Sequence, residues 1–192
     1  DNAATSQKHN VMLEALNEYY LKYNSNVGRG IYQLAYLSEQ KYLESKRSIK
    51  KFFNSQNHEI IYTSGSTESL NLSAHIAIQH SRKKYILLPF SEHHANILVW
   101  QNLAKNNCLK IIWIKSADWL LNPFNIPETI LQKTAIIALS HVSNVTGEIF
   151  PIEKWISLAE QIGAISIIDG SQAVSSLIID LNNINPDFYC FS

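Results

Sequence analysis

Several apolar runs in this 192-residue chain end in polar side chains suited to chemistry. The clearest is Ile165–Val174. A β-type run closes on one carboxylate, Asp169, and Gly170, Ser171 and Gln172 follow at once. In an open α/β sheet the carboxyl ends of the strands are where ligands bind. A carboxylate placed there is withdrawn from water and needs a cationic partner. A protonated pyridine nitrogen is one such partner, and pyridoxal phosphate (PLP) sites use an acidic residue for it. A Mg²⁺ ion is another.

Three further loops have the same character. Thr63-Ser64-Gly65-Ser66-Thr67-Glu68 reads as a strand-to-helix junction, where free N–H groups and the helix dipole favour an anion. Gly65 permits close approach, and Ser66 and Thr67 add hydroxyl donors. Ordinary N-capping explains the same residues. The loop lacks the Gly-Lys-Ser/Thr of a nucleotide-binding P-loop, which counts against Mg²⁺-nucleotide chemistry at Asp169. The chain also lacks the Gly-x-Ser-x-Gly elbow of an α/β-hydrolase. Ser91-Glu92-His93-His94-Ala95-Asn96 follows another strand. Adjacent histidines point in different directions, so a shared metal is disfavoured, whereas stacking an imidazole on an aromatic cofactor needs only one. Loop histidines without a task are the plain alternative. Ser140-His141-Val142-Ser143-Asn144-Val145-Thr146-Gly147 ends a further strand with several donors. One polar turn is routine, but four on one edge of a parallel sheet make a site.

The elements that must position these loops follow from periodicity. Lys8–Tyr23 and Leu34–Phe53 carry helical spacing, separated by a glycine-containing break at Asn24–Gly30. Strands are expected at 59–64, 84–90, 109–115, 134–142, 164–168 and 187–191. Helices are expected at 67–82, 95–106, 127–132 and 151–162, the last starting at Pro151 and stopping at Gly163. Alternating strands and helices imply parallel pairing with right-handed crossovers. Periodicity gives an α/β sandwich and no more; the expected form is a three-layer α/β/α sandwich with a mainly parallel sheet.

Sixteen basic and sixteen acidic residues balance, which leaves no electrostatic footprint for nucleic acid or an anionic membrane. No apolar run approaches the roughly 20 residues of a membrane helix. Two distant cysteines, Cys108 and Cys190, suggest a reducing compartment, and both read as packing residues. No metal site is expected. The opening residue is not methionine and the last lies in an apparent strand, so the sequence reads as a fragment.

The motifs resemble a known family. Asp-Asn-Ala-Ala-Thr (1–5), Asn-Val-Gly-Arg-Gly (26–30), Thr-Ser-Gly-Ser-Thr-Glu-Ser-Leu-Asn-Leu (63–72), Ser-Glu-His-His-Ala-Asn-Ile (91–97), His-Val-Ser-Asn-Val-Thr-Gly (141–147) and Asp-Gly-Ser-Gln-Ala-Val (169–174) occur in the order and spacing of cysteine desulfurases. These are class V aminotransferase-type, fold-type-I PLP enzymes, and the SUF-system (SufS-like) branch, often selenocysteine lyases, is the most similar. The resemblance implies residue roles. Gly65, Ser66, Thr67 and Ser192 would hold the PLP phosphate. His93 would stack on the ring and Asp169 would pair with its nitrogen. Gln172 would bond the phenolic oxygen. Asn144 would face that oxygen or the substrate carboxylate, and Arg29 would lie on the substrate side. Residues 1–30 would be the N-terminal helix and active-site loop segment, and 31–192 the PLP-binding large domain, incomplete at its C-terminus.

The implied reaction converts L-cysteine, or L-selenocysteine, to alanine. An enzyme persulfide then passes to a SufE/SufU-like acceptor for iron–sulfur assembly. A homodimer and a cytoplasmic location are expected, with an organelle also open because a targeting segment cannot be assessed. The family commonly has histidines where this chain has Gly28 and Tyr32. Its Schiff-base lysine and nucleophilic cysteine would fall beyond Ser192, so these 192 residues alone are expected to be inactive. Another class V PLP reaction, such as an aminotransferase or epimerase, and a non-catalytic remnant are the alternatives.

Overall fold

The computed structural model describes residues 5–28 and 30–192. The chain divides into two compact units, Asp1–Ile60 and Ile61–Ser192. Helix α1 (Asn10–Glu18) continues into a π-helical turn (Tyr19–Tyr23), and α2 spans Gln33–Phe52. The hydroxyl of Ser38, on α2, donates to the Tyr23 carbonyl and accepts from Ser25. That link ties α2 to the residues before it, and so to the first unit.

The second unit holds a five-stranded sheet. Its strands are β1 (Tyr85–Pro89), β2 (Lys110–Ile114), β3 (Thr134–Ser140), β4 (Ile165–Asp169) and β5 (Phe188–Cys190). Their order is β2-β1-β3-β4-β5, and every pairing is parallel. The helices are α3 (Ser66–Ala77), α4 (His94–Asn107), α5 (Ala117–Leu121), α6 (Glu128–Leu131), α7 (Ile152–Ile162) and α8 (Leu181–Ile184).

Side chains alternate across the pleat, and this builds two cores. Ile86, Leu88, Ile136, Ala138 and Ile167 pack with Leu70, Ala74, Val99 and Trp100 of α3 and α4. Leu87, Ile137, Leu139 and Ile168 pack with Ile152, Trp155, Ile156 and Ala159 of α7. These are the three expected layers. All seven residues of β3 are buried, as befits a parallel strand covered on both faces. At the amino end, Asp187 Oδ2 accepts from the Ser166 N–H and hydroxyl, each at 2.8 Å, and seats β5 beside β4. Pro151 precedes α7, and Gly163 ends it in the left-handed region (φ 61°), which glycine enters without the usual penalty.

Two differences from the sequence reading concern elements. Residues 59–64 are not a strand. Ile61 and Tyr62 are 62% and 46% exposed, and an apolar run becomes a strand only with a neighbour to pair against. The short helices α5 and α8 were not expected, being too brief to show a period.

Ile136 is fully buried between β1, β4 and the α3–α4 layer. Ile136→Ala is expected to lower the unfolding free energy by about 2–5 kcal/mol, measured by urea denaturation.

Candidate functional site

The carboxyl edge of the sheet gathers the polar loops because the strands are parallel and in register. Ser140, the last residue of β3, lies opposite Asp169, the last of β4, and Asp169 lies opposite Cys190 of β5.

Asp169 is buried, at 7% exposure. Its Oδ1 accepts from the Ser171 N–H at 3.0 Å and the Ser171 hydroxyl at 2.6 Å. Among the described residues, no hydrogen bond reaches Oδ2. The turn after it is closely fitted. The Gly170 N–H donates to the Cys190 carbonyl at 2.7 Å. A Cβ on Gly170 would stand 2.1 Å from the Tyr189 ring, so that ring packs directly on bare backbone. The Tyr189 hydroxyl is 2.8 Å from His141 Nδ1, and the His141 N–H donates to the Asp169 carbonyl at 2.8 Å. Burial lowers the His141 imidazole and raises the Tyr189 hydroxyl from their ordinary values, which favours the neutral form of each. Gln172, half-buried, lies in the same turn.

Beyond β3 the chain folds back through a Val142–Ile149 bridge. Ser143 Oγ accepts from the Val145 and Thr146 N–H groups at 3.3 and 3.2 Å. Asn144 is exposed at the tip of this turn.

The Thr63–Glu68 loop carries Gly65 (φ 157°, ψ 178°), the N-cap of α3. This backbone conformation is essentially glycine's alone. Thr63 Oγ1 meets Ser69 Oγ at 2.7 Å and donates to the Gly65 carbonyl at 3.0 Å. Glu68 reaches back to accept from the Ser64 N–H at 2.6 Å, and that bond holds its carboxyl below its ordinary value. The Ser66 and Thr67 hydroxyls make no hydrogen bond among the described residues. The position of a Gly65 Cβ lies 4.0 Å from Ser192 Oγ, so this loop stands beside the end of β5. Unbonded hydroxyls and first-turn N–H groups suit a phosphate dianion, and Asp169 Oδ2 suits a protonated ring nitrogen. The residues present fit PLP.

His93 is exposed and caps α4, with Nδ1 accepting from the Ala95 N–H at 3.2 Å. A neutral ring therefore carries its proton on Nε2. The His94 ring lies 6.4 Å away at 88°, so the two imidazoles face different directions, as their adjacency implied.

Sequence reading gave no role to Glu92, which is 7% exposed. Its Oε1 accepts from the Ser140 N–H at 2.8 Å. Its Oε2 accepts from the Ser140 hydroxyl at 2.6 Å and from Asn96 Nδ2 at 2.8 Å. Burial pushes its carboxyl up to about 7, opposed by these bonds and helped slightly by the Asp169 charge. The signal available in the sequence was the spacing of Glu92, Asn96 and Trp100, four residues apart.

Two expectations about cysteine separate here. Cys190 is buried, its Sγ 3.3 Å from Ser73 Oγ, and burial pushes the thiol up to about 11. It is a packing residue. Cys108 is not: it is exposed, with left-handed backbone at the end of α4. Arg29 lies outside the described residues. Gly28 has φ 84°, a conformation that resists a side chain, and Tyr32 is the exposed N-cap of α2.

The model of the class V aminotransferases matches residues 1–192. The chain belongs to that family. Curated relatives include probable cysteine desulfurases of Pyrococcus abyssi, 36% identical, and Staphylococcus aureus, 41% identical. Each alignment covers all of this chain and 48% of the relative. Among solved structures, the apo cysteine desulfurase of Thermococcus onnurineus NA1 superposes with a TM-score of 0.89 at 34% identity, over all of this chain and 48% of that one. The cysteine desulfurase CsdA of Escherichia coli gives 0.83 at 28%, over all of this chain and 49% of that one. The chain thus spans about half the length of these relatives. No helix among the described residues is long and apolar enough to cross a membrane.

Glu92 gives this class V chain a pH signature. Between its ordinary value of 4.5 and about 7, the folded chain keeps the Glu92 proton and the unfolded chain releases it. Raising the pH through that window therefore removes stability, at up to about 1.4 kcal/mol per pH unit. Glu92→Gln has no such proton and is expected to show a shallower fall in urea-unfolding free energy from pH 5 to 7.

Proposed function

We propose that the chain is the cofactor-cradling part of a PLP-dependent cysteine desulfurase. The observation that carries this reading is the free Asp169 Oδ2 on the same sheet edge as the unbonded hydroxyls at the start of α3. A cation acceptor and a dianion cradle are the two ends a pyridine phosphate needs. The matched relatives support the reaction class.

Each residue then has a task. The N–H groups of Ser66 and Thr67, their hydroxyls and Ser192 hold the phosphate, and Gly65 leaves room for it. Asp169 Oδ2 accepts the ring N–H⁺ and stabilises that proton in low dielectric. Ser171, through its two bonds to Oδ1, fixes the carboxylate's orientation. His93 lies against the ring face and presents its Nε2 proton. Gln172 bonds the phenolic oxygen, Asn144 faces that oxygen or the substrate carboxylate, and Arg29 is assigned to the substrate side. PLP, when bound, supplies the electron-withdrawing ring that labilises bonds at the amino acid Cα.

For the whole protein we infer L-cysteine, or L-selenocysteine, as substrate and alanine as product. Sulfur is delivered as a persulfide to a SufE/SufU-like acceptor for iron–sulfur assembly, in a cytoplasmic homodimer of the SUF type. The lysine and cysteine that this chemistry needs are placed by the resemblance outside these 192 residues, so the chain by itself is expected to turn over no cysteine.

PLP titration followed by tryptophan fluorescence is expected to saturate and to reverse on dialysis. Asp169→Ala should weaken binding by about tenfold or more, since a charged hydrogen bond contributes about 1.5–3 kcal/mol. Absence of saturable binding by the unaltered chain refutes the reading and favours a remnant. Alanine formed from L-cysteine at a rate typical of desulfurases refutes the inactivity of the chain alone.

A further inference from the structure

Glu92 lies between the two parts of the site that must agree in position. It precedes His93, at the start of α4, and it grips Ser140, the residue opposite Asp169. Its bonds form a directional chain. Trp100 Nε1 has only a proton to give, and it gives it to Asn96 Oδ1 at 2.9 Å. That bond fixes the Asn96 amide, so Asn96 Nδ2 must donate to Glu92 Oε2. The Ser140 N–H likewise can only donate, and it does so to Oε1. Both oxygens of residue 92 must therefore accept. The Ser140 hydroxyl adapts: at 2.6 Å it donates to a carboxylate or accepts from a carboxyl proton on Oε2. Glutamate satisfies every partner in either charge state. Glutamine satisfies them in neither orientation, because its amide N–H₂ must face the Asn96 amide or the Ser140 N–H.

We propose that Glu92 is a positioning residue of the site, clamping the first turn of α4, which adjoins His93, onto the tip of β3 beside Asp169. Asn96 and Trp100 are part of the clamp because they dictate which atoms donate. All three residues are buried: Glu92 at 7%, Asn96 and Trp100 at 0%. A buried donor left without an acceptor is costly, so the network tolerates one arrangement. The inference rests on the PLP reading above. A ring held by His93 on its face and by Asp169 at its nitrogen senses the separation of the two.

The direction of the donors supplies the test. Glu92→Gln leaves one donor facing another. Combining Glu92→Gln with Asn96→Asp reverses the bond between the two side chains. The introduced amide then donates to the introduced carboxylate, which still accepts from Trp100. The amide oxygen still accepts from the Ser140 N–H. The net charge equals that of the unaltered chain.

The PLP dissociation constant, read by fluorescence titration on chains shown to be folded by circular dichroism, is expected to rise about tenfold in Glu92→Gln, as one frustrated buried donor implies. It should return to within about threefold in the double variant, a coupling that independent sites lack. An unchanged constant in Glu92→Gln overturns the inference and leaves the PLP reading standing. So does a double variant as weak as the single one. If Glu92→Gln does not fold, the double variant decides alone: folded with near-normal affinity it supports the clamp, and unfolded or without affinity it overturns it. If the unaltered chain binds no PLP, both the function and this inference fall.

Discussion

The parallel register of β3, β4 and β5 is the constraint on which the site depends. Ser140, Asp169 and Cys190 stand side by side because Ile167 and Ile168 pair in step with Ala138 and Leu139 on one side and with Phe188 and Tyr189 on the other. In a parallel sheet all strands finish at the same edge, so each chain leaves there and each loop begins with its neighbours within hydrogen-bond reach. A one-residue slip of β4 would turn Asp169 to the opposite face and send Ile167 and Ile168 into each other's cores. The two apolar clusters that hold the sheet therefore also aim the carboxylate.

That edge holds two buried carboxyl groups, and their surroundings divide their roles. Glu92 has both oxygens committed to donors within the protein, so its interactions are structural. Asp169 commits only Oδ1 to its own turn, and Oδ2 accepts no hydrogen bond among the described residues. Burial alone raises a carboxyl, and like charges raise it further. Glu92, pushed up to about 7, carries a proton part of the time near neutrality. That lowers the negative charge at the edge beside the space where a cation would meet Asp169.

Much of this was legible in the sequence. The strand runs at 84–90, 134–142 and 164–168 were readable because β-branched and aliphatic residues cluster between turn signals. The four loops were readable because polar residues repeatedly follow those runs. Other features were hidden for identifiable reasons. Residues 59–64 carry Ile60, Ile61 and Tyr62 and look like a strand, but pairing depends on a partner that composition does not reveal. Glu92 looks like any charged loop residue, because burial is a tertiary property. Cys108 and Cys190 look alike in sequence, yet one closes a helix in the open and the other is sealed against Ser73. Tyr189 reads as a strand aromatic, and its fit against Gly170 depends on two chain segments meeting.

The Gly170–Tyr189 contact shows how a turn at a ligand edge can be held rigid. The Asp169 carbonyl accepts from the His141 N–H, Gly170 donates to the Cys190 carbonyl, and the Tyr189 ring covers the glycine while its hydroxyl meets His141. The two strands flanking β4, β3 and β5, therefore fix one peptide turn through several contacts. In the proposed contact with a ring nitrogen, the carboxylate gains from such fixation, because orientation set during folding need not be set again on binding. Any side chain at position 170 would have to displace the tyrosine, and with it the hydroxyl that meets His141. The turn's glycine is thus required by what packs on it, while the turn's acid answers to the ring nitrogen proposed for it.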